Sequence, residues 1–141
     1  MNTKHLDHLR RMSLLAVCIT TWCLSSLAFG AVTDISAQEA QTLIAQNSGN
    51  TEFTILDIRT PPEFAQGHIT GAVLIDYTTP QFKSQLDQLD KTKTYLVYCR
   101  SGNRSGRALE IFRQLGFNDI YHLKRGINEW QAKGFQLVRP Q

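Results

Sequence analysis

Along the chain, short apolar runs alternate with stretches whose apolar residues recur at helical spacing. In "DISAQEAQTLIAQNSGN", Ser36 precedes Glu39 by three positions, the spacing of a capping box. Ala40, Leu43 and Ile44 then form one helical face, which ends at Asn47 to Asn50. "TEFTILDI" is β-branched and apolar and predicts a buried strand over Phe53 to Ile58. "RTPPEFAQGHITGA" is punctuated by Pro61, Pro62, Gly67 and Gly71 and reads as a loop with one helical turn at Pro62 to Ala65. "AVLIDY" predicts the next strand. "TTPQFKSQLDQL" predicts a helix capped by Thr79, with Pro80 at its first position and Phe82, Leu86 and Leu89 facing inward.

"KTYLVYC" is the third apolar run, followed by "SGRALEIFRQLG", whose Ala108, Leu109, Ile111, Phe112 and Leu115 face inward before Gly116 stops the helix. "DIYHL" is a strand and "GINEWQAKG" a short helix ended by Gly134. Strands alternating with helices indicate βα units and a mostly parallel sheet.

Ahead of this pattern the composition changes. "MNTKHLDHLRR" is polar with a basic end, and "MSLLAVCITTWCLSSLAFG" is an apolar run closing on small residues, the layout of a secretory signal. The expected division is a cleaved signal over 1–30 and one domain over 31–141, which suits a chain of 141 residues. Ala28 and Gly30 place cleavage before Ala31 or, alternatively, after Ala28. An uncleaved anchor is the competing reading, but the Thr and Ser content of Met12 to Gly30 makes a poor span. An exported, periplasmic-type location is expected, with no stable membrane span once the signal is gone.

Removing Lys4, Arg10, Arg11 and Asp7 with the signal lowers the formal charge by two, from +3 to +1. No basic face for nucleic acid is implied. Cys18 and Cys23 leave with the same segment, so Cys99 becomes the one thiol of the mature chain, unable to form an internal disulfide. An unpaired thiol in an oxidising compartment needs a reason.

The reason lies in the loop that follows it. In a parallel sheet, ligands sit beyond the carboxyl ends of strands, and "YCRSGNRSG" joins a strand to a helix there. With a helix starting at Ser105 or Gly106, loop amides and the positive end of the helix dipole converge on Cys99 Sγ. Gly102 allows the tight path, and Arg100 and Arg104 add positive charge. A fall of roughly two units in the thiol pKa, about 2.7 kcal/mol, makes the cysteine mostly ionised at neutral pH.

"LDIRTPPEFAQGHITGA" and "YCRSGNRS" together resemble the two signatures of rhodanese-like sulfurtransferase domains, and "HLKRGINEW" resembles their C-terminal glycine and tryptophan segment. The likeness spans essentially the whole mature chain, which also resembles the small periplasmic rhodaneses of bacteria. It implies a three-layer α/β fold with a central parallel five-stranded sheet flanked by helices. It also implies double displacement: the Cys99 thiolate takes the outer sulfur of thiosulfate, and a thiophilic acceptor such as cyanide or a thiol removes it from the persulfide. Arg125 departs from the resemblance, which expects glycine there.

Within this reading Cys99 is the nucleophile, and the amides of residues 100 to 104 stabilise its thiolate and persulfide. Arg100, Ser101, Gly102, Asn103 and Arg104 form the donor site. Ser101 and Ser105 either donate hydrogen bonds or cap the helix, and capping is the preferred role for Ser105. Asp57 and Arg59 are supporting residues, the aspartate pairing at a strand end, and His68 orders its loop by hydrogen bonding. His68 and His122 are widely spaced without other ligands, so neither a metal nor a cofactor is implied. Trp130 and Phe135 are read as packing residues. The pattern Cys-x4-Arg is one residue shorter than the Cys-x5-Arg of related cysteine phosphatases, which disfavours a tetrahedral phosphate. A slow or non-catalytic persulfide carrier remains the second reading. Oligomeric state is not legible.

Overall fold

The computed structural model describes residues 30–140, so the signal reading, with Cys18 and Cys23, falls outside the described residues except for Gly30. The architecture is arranged around β4 (Thr94–Tyr98), whose Tyr95, Leu96, Val97 and Tyr98 are all buried. A strand with no polar face belongs in the middle of a sheet covered on both sides. Its neighbours are β2 (Phe53–Asp57) and β5 (Asp119–Leu123), and the edges are β3 (Val73–Leu74) and β1 (Ala31–Ile35). The order is β1-β5-β4-β2-β3, with every pair parallel.

Helices cover both faces: α1 (Ala37–Gln46), α2 (Pro61–Gln66), α3 (Phe82–Asp87), α4 (Asn103–Gln114) and α5 (Gly126–Ala132). One core layer joins Val97, Leu56 and Ile120 to Leu86, Ala108 and Phe112 of α3 and α4. The other joins Leu96, Tyr98 and Ile55 to Ala40, Ile127 and Trp130 of α1 and α5. This is the expected three-layer α/β fold. Among the described residues, no helix is long and apolar enough to cross a membrane.

Four local expectations differ. β1 was hidden because only Ile35 of its five residues is buried, so the strand exists through pairing with β5 and not through an apolar run of its own. "AVLIDY" contributes only Val73–Leu74 to the sheet. Helix α2 is longer than a single turn, opening on Pro61 and Pro62 with Glu63 Oε2 accepting the Thr60 N–H at 3.0 Å. Helix α3 begins at Phe82 after Gln81, while Thr79 and Pro80 stand in the preceding turn, where the Thr79 carbonyl accepts the Phe82 N–H at 3.1 Å. The capping box of α1 forms as read, with the Glu39 N–H donating to Ser36 Oγ at 3.3 Å and the Ser36 N–H to Glu39 Oε2 at 2.8 Å.

Candidate active site

Alternation along β4 decides where the cysteine points. Tyr95 and Val97 face the α3 and α4 layer, and Cys99, two positions on, joins the same cluster. It is 1% exposed and lies under the first turn of α4. Sγ receives the Gly102 N–H at 3.2 Å, the Ser105 N–H at 3.5 Å and the Ser105 hydroxyl at 3.3 Å. Burial pushes the thiol pKa up, but hydrogen bonds from the Ser105 hydroxyl and amide and from the Ser101 and Gly102 amides outweigh it. The net pKa lies below the ordinary thiol value.

Two close approaches hold the loop in this form. Gly102 sits at φ 92°, and a Cβ there would stand 1.8 Å from the Lys124 carbonyl oxygen. On the other flank, the Cys99 and Arg100 carbonyls accept the Ile127 and Asn128 N–H groups at 2.9 and 3.1 Å, which are free amides at the start of α5. Gly126, at φ 62°, makes that contact possible, since a Cβ there would lie 2.5 Å from both carbonyl oxygens. With the carbonyls tied to α5, the following amides turn toward sulfur. Arg125 has φ −105°, so its departure from the expected glycine introduces no backbone strain.

Ser105 does not cap the helix. Gly102 takes the N-cap position, α4 starts at Asn103, and Ser105 is fully buried within the first turn. Its hydroxyl lies within bonding distance of Cys99 Sγ, the Gly102 carbonyl at 3.2 Å and His122 Nε2 at 2.8 Å. The cradle around Sγ is accordingly shifted from residues 100 to 104 toward Gly102 and Ser105.

The two arginines separate. Arg104 forms a bidentate pair with Glu63, at 2.8 and 2.6 Å, so its charge is answered within the protein. Arg100 is exposed and has no carboxylate partner among the described residues. Arg100, Ser101, Asn103, Arg104 and Glu63 line a shallow cavity of about 370 Å³ above the loop. The bond from Arg104 holds the Glu63 carboxyl at about 2, with the Thr60 amide and hydroxyl assisting against burial.

Asp57, Arg59 and His68 are placed apart from the sulfur. Asp57, fully buried, accepts the Arg59 N–H and Nε–H and its terminal N–H at 2.9, 3.0 and 2.6 Å. Arg59 also donates to the Gly67 carbonyl at 2.8 Å and lies 5.6 Å from the Tyr98 ring. His68 exchanges backbone bonds with Val138, stacks on Phe64 at 3.6 Å and places Nδ1 3.1 Å from the Phe64 carbonyl. Trp130 and Phe135 pack edge to face at 5.0 Å.

Three residues near the loop escaped the sequence reading: Glu63, His122 and Asp34. Glu63 follows Thr60 at capping-box spacing, which was a usable signal. The contact of His122 with Asp34 depends on β1, which the apolar pattern does not show.

A parallel α/β sheet whose central strand delivers a buried cysteine into a ring of backbone amides defines a cysteine-loop domain. Residues 36–133 match the profile of the rhodanese-like domain, and the chain belongs to that family. It is 33% identical to a sulfurtransferase of Allochromatium vinosum over 99 residues, 70% of this chain and 91% of that one. It is 39% identical to a thiosulfate sulfurtransferase of Pseudomonas aeruginosa over 79 residues, 55% of this chain and 69% of that one. Among solved structures, a rhodanese-related protein of Thermoplasma volcanium superposes with a TM-score of 0.63 at 30% identity, covering 77% of this chain and 99% of its own. The chain matches 91% of the Allochromatium vinosum protein's length but only 29% of that of a probable adenylyltransferase/sulfurtransferase of Mycobacterium tuberculosis, to which it is 33% identical.

Proposed function

We propose that this protein is an exported thiosulfate sulfurtransferase working through a persulfide on Cys99. The observation that carries the reading is the buried Sγ held by the Gly102 amide and by the amide and hydroxyl of Ser105. The thiolate attacks the outer sulfur of thiosulfate, a new S–S bond forms, and the bond to the sulfonate sulfur breaks with its electron pair leaving on sulfite. A thiophilic acceptor, cyanide or a thiol, then attacks the outer sulfur and returns the thiolate. The near-complete burial of Cys99, 1% exposed, favours a donor that presents one bare sulfur atom. A phosphatase fits poorly, because the arginine that would clamp phosphate already holds Glu63. Export rests on the amino-terminal sequence pattern alone.

Incubating the protein with thiosulfate and mapping its peptides by mass spectrometry tests the chemistry: the Cys99 peptide should gain about 32 Da, one sulfur atom. Adduct formation should be followed by thiocyanate release when cyanide is added. An unmodified Cys99 peptide after prolonged incubation refutes the proposal, and a persulfide that cyanide does not discharge favours a carrier.

Glu63 restrains the donor site in this reading. Glu63→Gln removes the charge that answers Arg104, so KM for thiosulfate should fall roughly threefold to tenfold with kcat within about twofold. A rise in KM would mean that Glu63 serves to aim Arg104 at the donor. Because the Glu63 pKa is depressed on folding, the stabilisation from this pair is complete above the ordinary carboxylate range and is lost as the pH falls toward 2.

A further inference from the structure

A hydrogen-bonded chain runs from the thiol through residues that do not line the cavity above the loop. Asp34 and His122 are directly opposite in the parallel pairing of β1 and β5, so their side chains share a face of the sheet. His122 Nδ1 is 2.8 Å from Asp34 Oδ1, and Nε2 is 2.8 Å from Ser105 Oγ, which is 3.3 Å from Cys99 Sγ. The His122 ring is buried, and Asp34 at the far end reaches the surface.

The chemistry of the end members fixes the directions within the chain. Asp34 is ionised and can only accept, so Nδ1 carries a proton. In the neutral ring, Nε2 is then an acceptor and competes with Sγ and the Gly102 carbonyl for the one Ser105 hydroxyl proton. In the imidazolium, Nε2–H donates to Oγ, and the hydroxyl proton is released toward Sγ. The groups facing His122 are Asp34 from β1, Lys124 of its own strand region, whose Nζ is 3.1 Å from Asp34 Oδ2, and Ser105 from α4 with Cys99 behind it. The backbone at Gly106 lies beside the ring without charge.

We propose that His122 is a positioning residue for Cys99: held by Asp34, it takes up the thiol proton through Ser105 and thereby commits the Ser105 hydroxyl to the thiolate. In the step, the Cys99 proton passes to Oγ as the Oγ proton passes to Nε2. The S–H electron pair stays on sulfur, and thiol plus imidazole become thiolate plus imidazolium with no other reactant. This deepens the sulfur-transfer reading and rests on it for its purpose, but its test does not use sulfur transfer.

The test is a double-mutant cycle on the full chain, reading the rate of iodoacetamide alkylation at the Cys99 peptide from about pH 5 to about pH 9. His122→Phe should slow alkylation roughly tenfold at about pH 6, with the profile displaced to higher pH. Ser105→Ala should do the same, and adding His122→Phe to it should cost nothing further. Asp34→Asn, at a half-exposed position, should displace the profile in the same direction by about threefold in rate at that pH. Superimposable profiles for the wild type and His122→Phe overturn the proposal, as does an equal loss from His122→Phe with and without Ser105. If His122→Phe does not fold, an unchanged Asp34→Asn profile overturns it. A change confined to thermal stability assigns His122 a packing role and likewise overturns it. Absence of a thiosulfate adduct with the alkylation cycle intact would instead sink the sulfur-transfer reading alone.

Discussion

Gly102→Ala is expected to abolish sulfur transfer and to lower folding stability by about 2–4 kcal/mol. Two costs coincide at this residue. Its φ of 92° is strained for any side chain, and the added Cβ would meet the Lys124 carbonyl oxygen at 1.8 Å, a contact that only backbone movement relieves. That movement carries the 102 N–H, which donates to Cys99 Sγ at 3.2 Å, away from the sulfur. Losing one such donor at a developing anion costs about a hundredfold in rate, and displacing α4 from its cap disturbs the Ser105 bonds as well. Gly49 provides the control: its φ is 77°, but nothing lies within 4 Å of a Cβ there, so Gly49→Ala should cost only about 1–2 kcal/mol and leave the site intact. Denaturant unfolding with thiocyanate production on the same samples separates the two. Equal stabilities and near-normal activity in both variants would show that the Lys124 contact does not hold the loop.

The contrast between these glycines shows what the sequence could and could not convey. The apolar runs at Phe53 to Ile58 and Tyr95 to Tyr98 mark buried strands because a central parallel strand has no solvent face to alternate with. The thiol at the end of the second run, and Gly102 after it, mark the loop for the same local reason. What was not legible depends on contacts distant in sequence. β1 is solvated along most of its length and is a strand only because β5 is beside it, so the placement of Asp34 against His122, 88 positions apart, had no local signature. Ser105 reads as a cap when the helix start is placed by residue preference. Its true position inside the turn follows from Gly102 taking the cap, which the Lys124 contact determines. Arg104 reads as free charge until α2 brings Glu63 to it.

Asp57→Ala should be among the most destabilising substitutions in the protein, at about 3–5 kcal/mol, although Asp57 makes no contact with the thiol. The carboxylate is fully buried and accepts three N–H groups of Arg59, whose guanidinium is itself nearly excluded from water. Removing the acid leaves a buried cation whose remaining partners among the described residues are the Gly67 carbonyl and the Tyr98 ring face. Replacing both residues by apolar ones removes the unanswered charge, so Asp57→Leu with Arg59→Met should be more stable than Asp57→Ala alone. Activity should follow a different order. Arg59 ties the end of β2 to the Gly67 carbonyl ahead of His68, and the intervening α2 carries Glu63 to Arg104 at the cavity above the loop. The double variant should therefore recover stability without recovering the wild-type KM for thiosulfate, because the loop that aims Glu63 has lost its anchor. Urea unfolding midpoints and KM measured on the three proteins check both halves. A double variant less stable than Asp57→Ala would show that the pair contributes more through its hydrogen bonds than its burial costs, and an unchanged KM would separate the buried pair from the donor site.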